Sequence, residues 1–85
     1  PGNSIRTAAE LERFARQKGG TVFHPTGTCR MGSDDRAVLD PQLRVNGVQG
    51  LRVIDASAMP NIVSTNTNAA SIMIGEKGAA MVLGI

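Results

Sequence analysis

The stretch Val38–Pro60, VLDPQLRVNGVQGLRVIDASAMP, contains the strand-like part of this chain. Leu43–Val45 and Leu51–Ile54 are short runs rich in branched apolar residues, a composition typical of β-strands. Between them lies Asn46-Gly47, a favoured hairpin turn, although Val48–Gly50 lengthens the connection. We therefore predict two short strands joined by a long turn in the middle of the chain.

The residues before this stretch predict an amphipathic helix over Ser4–Lys18. Its apolar residues recur at three- and four-residue spacing, and its charged residues fall elsewhere. We expect Asn3 or Ser4 to cap this helix and Gly19-Gly20 to end it. A short β-prone run, Thr21–His24, and a loop over residues 25–37 follow.

The residues after the central stretch predict a second helix, which starts at Asn68 or Ala69 and ends at Leu83, following a loop over residues 57–67. Apolar residues lie on nearly every side of it, and such a helix is normally buried. In 85 residues there is too little protein to bury it. Gly75 and Gly78, three residues apart, indicate close helix packing.

The predicted fold class is α+β, with an amphipathic first helix, a few short strands, long loops and a buried last helix. We expect residues 1–85 to be one domain of a larger protein.

Composition excludes several classes of function. The nine basic residues are scattered and only 2% of residues are aromatic, which argues against nucleic-acid binding. No apolar segment approaches the roughly 20 residues that span a bilayer. A single cysteine rules out an internal disulfide. No GxGxxG or GxxxxGK[ST] motif is present.

The segment His24–Gly32, HPTGTCRMG, holds the only histidine and the only cysteine of the chain. Histidine can take or give a proton at neutral pH, so His24 is the first candidate for acid–base chemistry. Alternatively, it only hydrogen-bonds a backbone group at a strand end. Cys29 is expected to be structural, because a nucleophilic cysteine needs a base beside it. One histidine and one cysteine are also too few for a structural zinc site, so no metal is expected.

Polar residues at the predicted start of the second helix allow two interpretations. Asn66 or Asn68 can cap the helix, since asparagine is among the best N-cap residues. The same helix start exposes backbone N–H groups that stabilise an anion, so one asparagine can instead point at a ligand. Asp55 also allows two interpretations. It stabilises a turn, or it contacts a ligand at the end of a strand.

Taken together, three stretches resemble the C-terminal segment of the glucose–methanol–choline (GMC) flavin oxidoreductases. They are HPTGTCRMG, VLDPQLRVNGVQGLRVIDASAMP and NTNAASIMIGEKGA, in this order. The form is most similar to the choline dehydrogenase and alcohol dehydrogenase branch. The resemblance covers about Thr21 to Gly84. It implies part of an FAD-binding α/β fold with a substrate domain.

The resemblance also implies roles for individual residues. These enzymes oxidise a primary alcohol to the aldehyde by hydride transfer to FAD. A histidine matching His24 acts on the hydroxyl proton, and Asn68 lies opposite the same oxygen. The residues implied to line the flavin are Asp55, Ala56, Asn66, Thr67 and Ala69. Arg30 is expected to hold its loop in place.

The resemblance implies partners as well. The dinucleotide-binding unit of the family is absent from this chain, so we expect a fragment that does not bind FAD alone and is inactive by itself. Its expected partners are the FAD-binding N-terminal part of a parent chain and a small alcohol, and self-association through exposed apolar surface is a further expectation. A cytoplasmic or peripherally membrane-associated location is expected. The alternative is a stand-alone binding or assembly module that keeps the family pattern without catalysis.

Overall fold

The computed structural model describes all 85 residues and contains two α-helices. Helix α1 covers Ala8–Lys18, and helix α2 covers Asn68–Leu83. Between them lies one short 3₁₀ turn, Ala56–Ala58. The remaining residues form loops, turns and isolated β-bridges. Neither α-helix has the length and hydropathy needed to cross a membrane.

Helix α1 starts later than the sequence predicted, because Thr7 caps it rather than Asn3 or Ser4. Thr7 and Glu10 form a capping box: the Glu10 N–H donates to Thr7 Oγ1 at 3.3 Å, and the Thr7 N–H donates to Glu10 Oε2 at 3.0 Å. The C-terminal end is as expected, with the Gly19 N–H donating to the Ala15 carbonyl at 2.7 Å. No residue of α1 is buried.

The predicted hairpin is present only as isolated bridges. Arg44 pairs with Arg52 in antiparallel fashion around a turn at Asn46-Gly47. The first strand cannot extend, because Leu43 adopts a left-handed backbone with φ 62°. Asp40 holds this bend through its carboxylate, which accepts from the N–H groups of Gln42 and Arg44 at 2.8 and 3.0 Å. The β part of the predicted α+β class is therefore reduced to bridges.

The predicted β-prone run Thr21–His24 forms no strand either. Phe23 interrupts it with a left-handed φ of 63°. The Phe23 N–H donates to Thr21 Oγ1 at 2.9 Å, which closes a local turn. The chain therefore bends immediately before His24.

The core is small and joins the central stretch to α2. Five residues form it: Leu39, Leu43, Ala58, Met59 and Ile74. Gly78 lies on the same side of α2 as Ile74, and a Cβ added there would meet the side chain of Ile54. The predicted close packing therefore holds for Gly78, whereas a Cβ at Gly75 would meet open space.

The molecule is elongated, with extents of 57 × 28 × 16 Å and a radius of gyration of 17.8 Å. A compact chain of this length has a radius of gyration of about 12 Å. The accessible surface is 6560 Å², whereas a compact monomer of this mass exposes about 4,800 Å². Helix α2 is buried on one side only, and not on nearly every side as predicted. Within this chain four of its large apolar residues stay exposed: Ile72, Met73, Val82 and Leu83.

Candidate functional site

His24 is joined by hydrogen bonds to the residues that precede α2. Its Nδ1 lies 2.8 Å from the Thr67 hydroxyl oxygen, and its Nε2 lies 2.9 Å from the Asn66 amide nitrogen. His24 is half-buried, Thr67 is buried and Asn66 is exposed. The structure therefore brings together residues 42 and 43 positions apart in the chain.

These two contacts engage both nitrogens of the ring. With the Asn66 amide nitrogen facing Nε2, the amide donates to the neutral ring and Nε2 accepts. In this arrangement of the neutral ring, Nδ1 carries the proton and donates to Thr67 Oγ1. Nε2 faces the exposed Asn66 side chain.

Neither asparagine caps α2, contrary to the prediction. The N-cap residue is Thr67, and its side chain makes no hydrogen bond to the helix backbone. The reason is that the Thr67 hydroxyl and the Asn66 amide are both bonded to His24. The first N–H groups of the helix, at Asn68, Ala69 and Ala70, consequently have no acceptor within the chain.

Asn68 is the first residue of α2 and is exposed, with no side-chain hydrogen bond. It follows Thr67 directly, so it lies beside the His24 contact without joining it. The structure thus places Asn66, rather than Asn68, in contact with His24 in this chain. The contact from Thr67 was not predicted, since a threonine before a helix ordinarily indicates a cap.

Asp55 caps the 3₁₀ turn. Its Oδ1 accepts from the hydroxyl and from the backbone N–H of Ser57. These two bonds hold the pKa of the Asp55 carboxyl below its usual range, the hydroxyl having the larger effect. Asp55 is exposed and Ala56 is half-buried, and the turn that they begin packs against α2. No hydrogen bond joins Asp55 to His24 or Asn66.

The loop after His24 is held by backbone contacts and one ion pair. The N–H of Cys29 donates to the Ser57 carbonyl at 3.0 Å, and the half-buried Cys29 side chain packs on the core. Arg30 makes a bidentate pair with Asp34, at 2.9 and 2.7 Å. Both residues therefore support the loop, as predicted for Arg30.

An open cleft of about 490 Å³ lies beside His24. Residues 22, 24 and 62–66 line it. Its apolar residues Val22 and Ile62, together with the neighbouring Phe23, are 78, 62 and 81% exposed. The sequence did not single out these residues, because their exposure depends on the bend at Phe23.

The chain matches the family model described as GMC oxidoreductase over residues 1–75. It belongs to the GMC oxidoreductase family. It is 52% identical over 85 residues to the oxygen-dependent choline dehydrogenase of Proteus mirabilis (strain HI4320), covering 100% of this chain and 15% of that protein. The oxygen-dependent choline dehydrogenase of Escherichia coli O45:K1 (strain S88 / ExPEC) is 52% identical over 84 residues, 99% of this chain and 15% of that protein.

These matches confirm the resemblance seen in the three stretches. They identify the chain as a choline dehydrogenase-like member of an oxidoreductase family. The chain spans about 15% of the length of the curated relatives that it matches.

Proposed function

We propose that this chain is the part of a flavin-dependent alcohol oxidoreductase that handles the hydroxyl proton of the substrate. The observation that carries the proposal is the arrangement of His24. Its Nε2 lies 2.9 Å from the Asn66 amide nitrogen, next to an open cleft and beside the free start of α2. A base and a set of free donors side by side suit a reaction in which an alcohol loses a proton.

The start of α2 fits the flavin of FAD, which such an enzyme requires. Asn68, Ala69 and Ala70 offer backbone N–H groups that no group of this chain accepts. Such donors, with the positive end of the helix dipole, favour an acceptor that gains negative charge. When bound, FAD supplies hydride acceptance from the alcohol carbon. Thr67, Asp55 and Ala56 are proposed to line the same cofactor.

His24 would accept the hydroxyl proton at Nε2. Removal of this proton as the hydride leaves avoids a protonated aldehyde, which is the reason for a base at this position. The Asn66 amide nitrogen lies 2.9 Å from Nε2 here, and the Asn66 side chain is exposed with no other partner. A substrate hydroxyl can therefore take the place of the Asn66 amide.

Asn68 is proposed to donate a hydrogen bond to the substrate oxygen. It lies one residue after Thr67 and its amide is free. An amide donor stabilises a developing alkoxide and cannot itself titrate. His24 and Asn68 would then act on one oxygen from two sides.

The proposed substrate is a primary alcohol of the choline type. The support is the name of the relatives, together with the exposed ring of Phe23 directly before His24. An aromatic face attracts a quaternary ammonium group. The partner of this chain would be the FAD-binding remainder of the same enzyme, which covers the exposed face of α2. By itself the chain is then expected neither to bind FAD nor to oxidise an alcohol.

The test compares three substitutions in the full-length enzyme by single-turnover flavin reduction with choline. His24→Ala should slow reduction by about 10²–10⁴-fold, the usual contribution of a general base. Asn68→Asp should slow it by about 10²–10³-fold, as for loss of one oxyanion donor. Asn66→Ala, which leaves Nε2 open to a substrate hydroxyl, is the control and should have a smaller effect than Asn68→Asp.

FAD content and melting temperature are measured for each variant, so that loss of cofactor is not mistaken for loss of chemistry. Near-normal reduction in His24→Ala would contradict the proposal. An Asn66→Ala variant slower than Asn68→Asp would transfer the donor role to Asn66.

A further inference from the structure

Arg44 and Arg52 face each other on an antiparallel bridge of the central stretch. Two like charges directly opposite destabilise a strand pair. Asp40 offsets one of them, because its Oδ2 accepts from Arg44 Nε at 2.7 Å. The other oxygen of Asp40 already accepts from the N–H groups of Gln42 and Arg44. The pair thus keeps one positive charge that this chain does not neutralise.

Arg52 is the member of the pair that lacks an anionic partner. The residue is half-buried, and its side chain makes one hydrogen bond, from Nε to the Gln42 carbonyl at 3.2 Å. It forms no ion pair within this chain, whereas Arg44 does. Both terminal nitrogens of Arg52, Nη1 and Nη2, are consequently free to donate. Together they form a flat fork that matches the two oxygens of a carboxylate.

A cleft of about 350 Å³ lies beside the two arginines, and residues 40 and 44–52 line it. We call it the arginine cleft. Two apolar residues of its lining, Val48 and Leu51, are 51 and 49% exposed. Arginine is enriched in protein interfaces, and the centres of such interfaces are apolar. The arginine cleft has both components, a free guanidinium group and an apolar surface.

We propose that the arginine cleft binds an acidic segment from the remainder of the full-length enzyme. An aspartate or glutamate carboxylate of this segment would accept from Nη1 and Nη2 of Arg52, and its apolar neighbours would cover Val48 and Leu51. The source of the segment rests on the proposal above that this chain is part of a larger enzyme, whereas the chemistry at His24 is not involved. The contact is separate from the exposed face of α2, since no residue of that helix lines the cleft.

Two observations favour a segment of the same enzyme over a free anion. The chain spans 15% of the length of its relatives, and its 6560 Å² of accessible surface exceeds the about 4,800 Å² of a compact monomer. The cleft is also open to water, where an exposed ion pair contributes little. A covering segment excludes water and contacts the apolar lining, which a free anion does not.

The test measures the melting temperature of the full-length enzyme with three substitutions at Arg52. Arg52→Lys keeps the charge but loses the fork, Arg52→Gln loses the charge, and Arg52→Glu reverses it. We expect the melting temperature to fall in that order, with Arg52→Gln below the native enzyme by about 2–4 °C, the usual shift per lost interaction in larger chains. Arg36→Glu, at an exposed position outside the cleft, is the control for net charge and should have little effect.

The order of Arg52→Gln and Arg52→Glu is diagnostic. Within this chain alone, Arg52→Glu places opposite charges on the bridge with Arg44 and should be no less stable than Arg52→Gln. In the full-length enzyme it sets one carboxylate against another and should be the less stable of the two. The reverse order there would overturn the proposal. So would inorganic phosphate that raises the melting temperature of the native enzyme and not of Arg52→Gln, since this result assigns the cleft to a free anion.

A second measurement needs no variant. Modification of arginine by p-hydroxyphenylglyoxal, followed by mass spectrometry of the peptides, reports which guanidinium groups are covered. In the full-length enzyme, Arg52 should lose most of the reactivity that it has in the 85-residue chain. Equal reactivity in both would overturn the proposal. Protection that appears in the 85-residue chain as its concentration rises would also overturn it, by assigning the cleft to a second copy.

This proposal and the proposed function fail separately. If His24→Ala keeps its rate of flavin reduction, the function fails while the order of melting temperatures still stands. If that order is reversed and His24→Ala is inactive, the function stands without the arginine cleft.

Discussion

Helices α1 and α2 both begin after a threonine, but the hydroxyl groups of the two threonines bond different partners. Thr7 caps α1 and forms a capping box with Glu10. Thr67 leaves α2 uncapped, because its hydroxyl is bonded to His24. Helix α1 buries no residue, whereas α2 buries Ile74 and Gly78 in the core.

The difference shows how each helix is stabilised. Short isolated helices are marginal in water, so α1 depends on its capping box and on the ion pair between Arg16 and Glu12. Helix α2 depends on packing and can leave its first N–H groups free. Free backbone N–H groups at the start of a helix stabilise an anionic ligand. Because packing stabilises α2, the N–H groups at its start are free to bind a ligand.

The largest effect on stability is expected where α2 meets the core. Gly78→Val places a branched side chain against Ile54, and overpacking of this kind costs about 1–3 kcal/mol. The measurement is urea unfolding followed by circular dichroism. Gly75→Ala, where the added methyl group meets open space, is the control and should be neutral or stabilising by up to about 1 kcal/mol. Equal stability of the two variants would mean that α2 does not pack on Ile54.

A smaller effect is expected at the start of α1. Thr7→Ala removes the capping hydroxyl and should cost α1 about 1 kcal/mol. The loss should appear in the NMR chemical shifts of residues 8–18, and not in those of the core, because α1 buries no residue. The control is Thr67→Val, which should leave the helical shifts of α2 nearly unchanged. A loss of α2 helicity in that variant would show that Thr67 caps after all.

The smallest effect is a pH dependence confined to α1. Hydrogen bonds from the backbone N–H groups of Arg6 and Thr7, and from the Thr7 hydroxyl, lower the pKa of Glu10 from its ordinary value of 4.5. A lowered pKa in the helix means that the stabilisation is complete above 4.5 and is lost as the pH falls below it. Helix α1 should therefore fray in acid.

The control for this titration is Glu10→Gln, in which the fraying of α1 over the same pH range should disappear. The first turn of α2 contains no acidic residue, so its helical signals should not follow the titration. Parallel loss of both helices in acid would contradict the assignment to Glu10.

Much of the local structure could be predicted from the sequence. The range of α2, the end of α1 at Gly19 and the turn at Asn46-Gly47 follow from periodicity and turn chemistry. The three stretches shared with GMC oxidoreductases were also sufficient to identify the family, and the match over residues 1–75 confirms it. The start of α1 was predicted too early, because Asn3 and Ser4 are good caps by composition and only Thr7 is followed by a glutamate three residues later.

The errors concern residues whose backbone departs from the average for their type. Leu43 and Phe23 have left-handed backbones, which composition does not predict for apolar side chains, and each interrupts a predicted strand. Leu43 is buried, so its packing offsets the strain, whereas Phe23 is exposed beside the site.

The sequence by itself determined the family, the two helices and the candidate His24, because these depend on local pattern and residue type. The tertiary structure decided that His24 meets Asn66 and Thr67, that neither asparagine caps α2, and that α2 packs through Gly78. The physical reason is that a hydroxyl or an amide makes its hydrogen bond with whichever partner the fold brings within 3 Å or so. For Thr67 that partner comes from 43 residues away, and nothing in the residues around Thr67 encodes it.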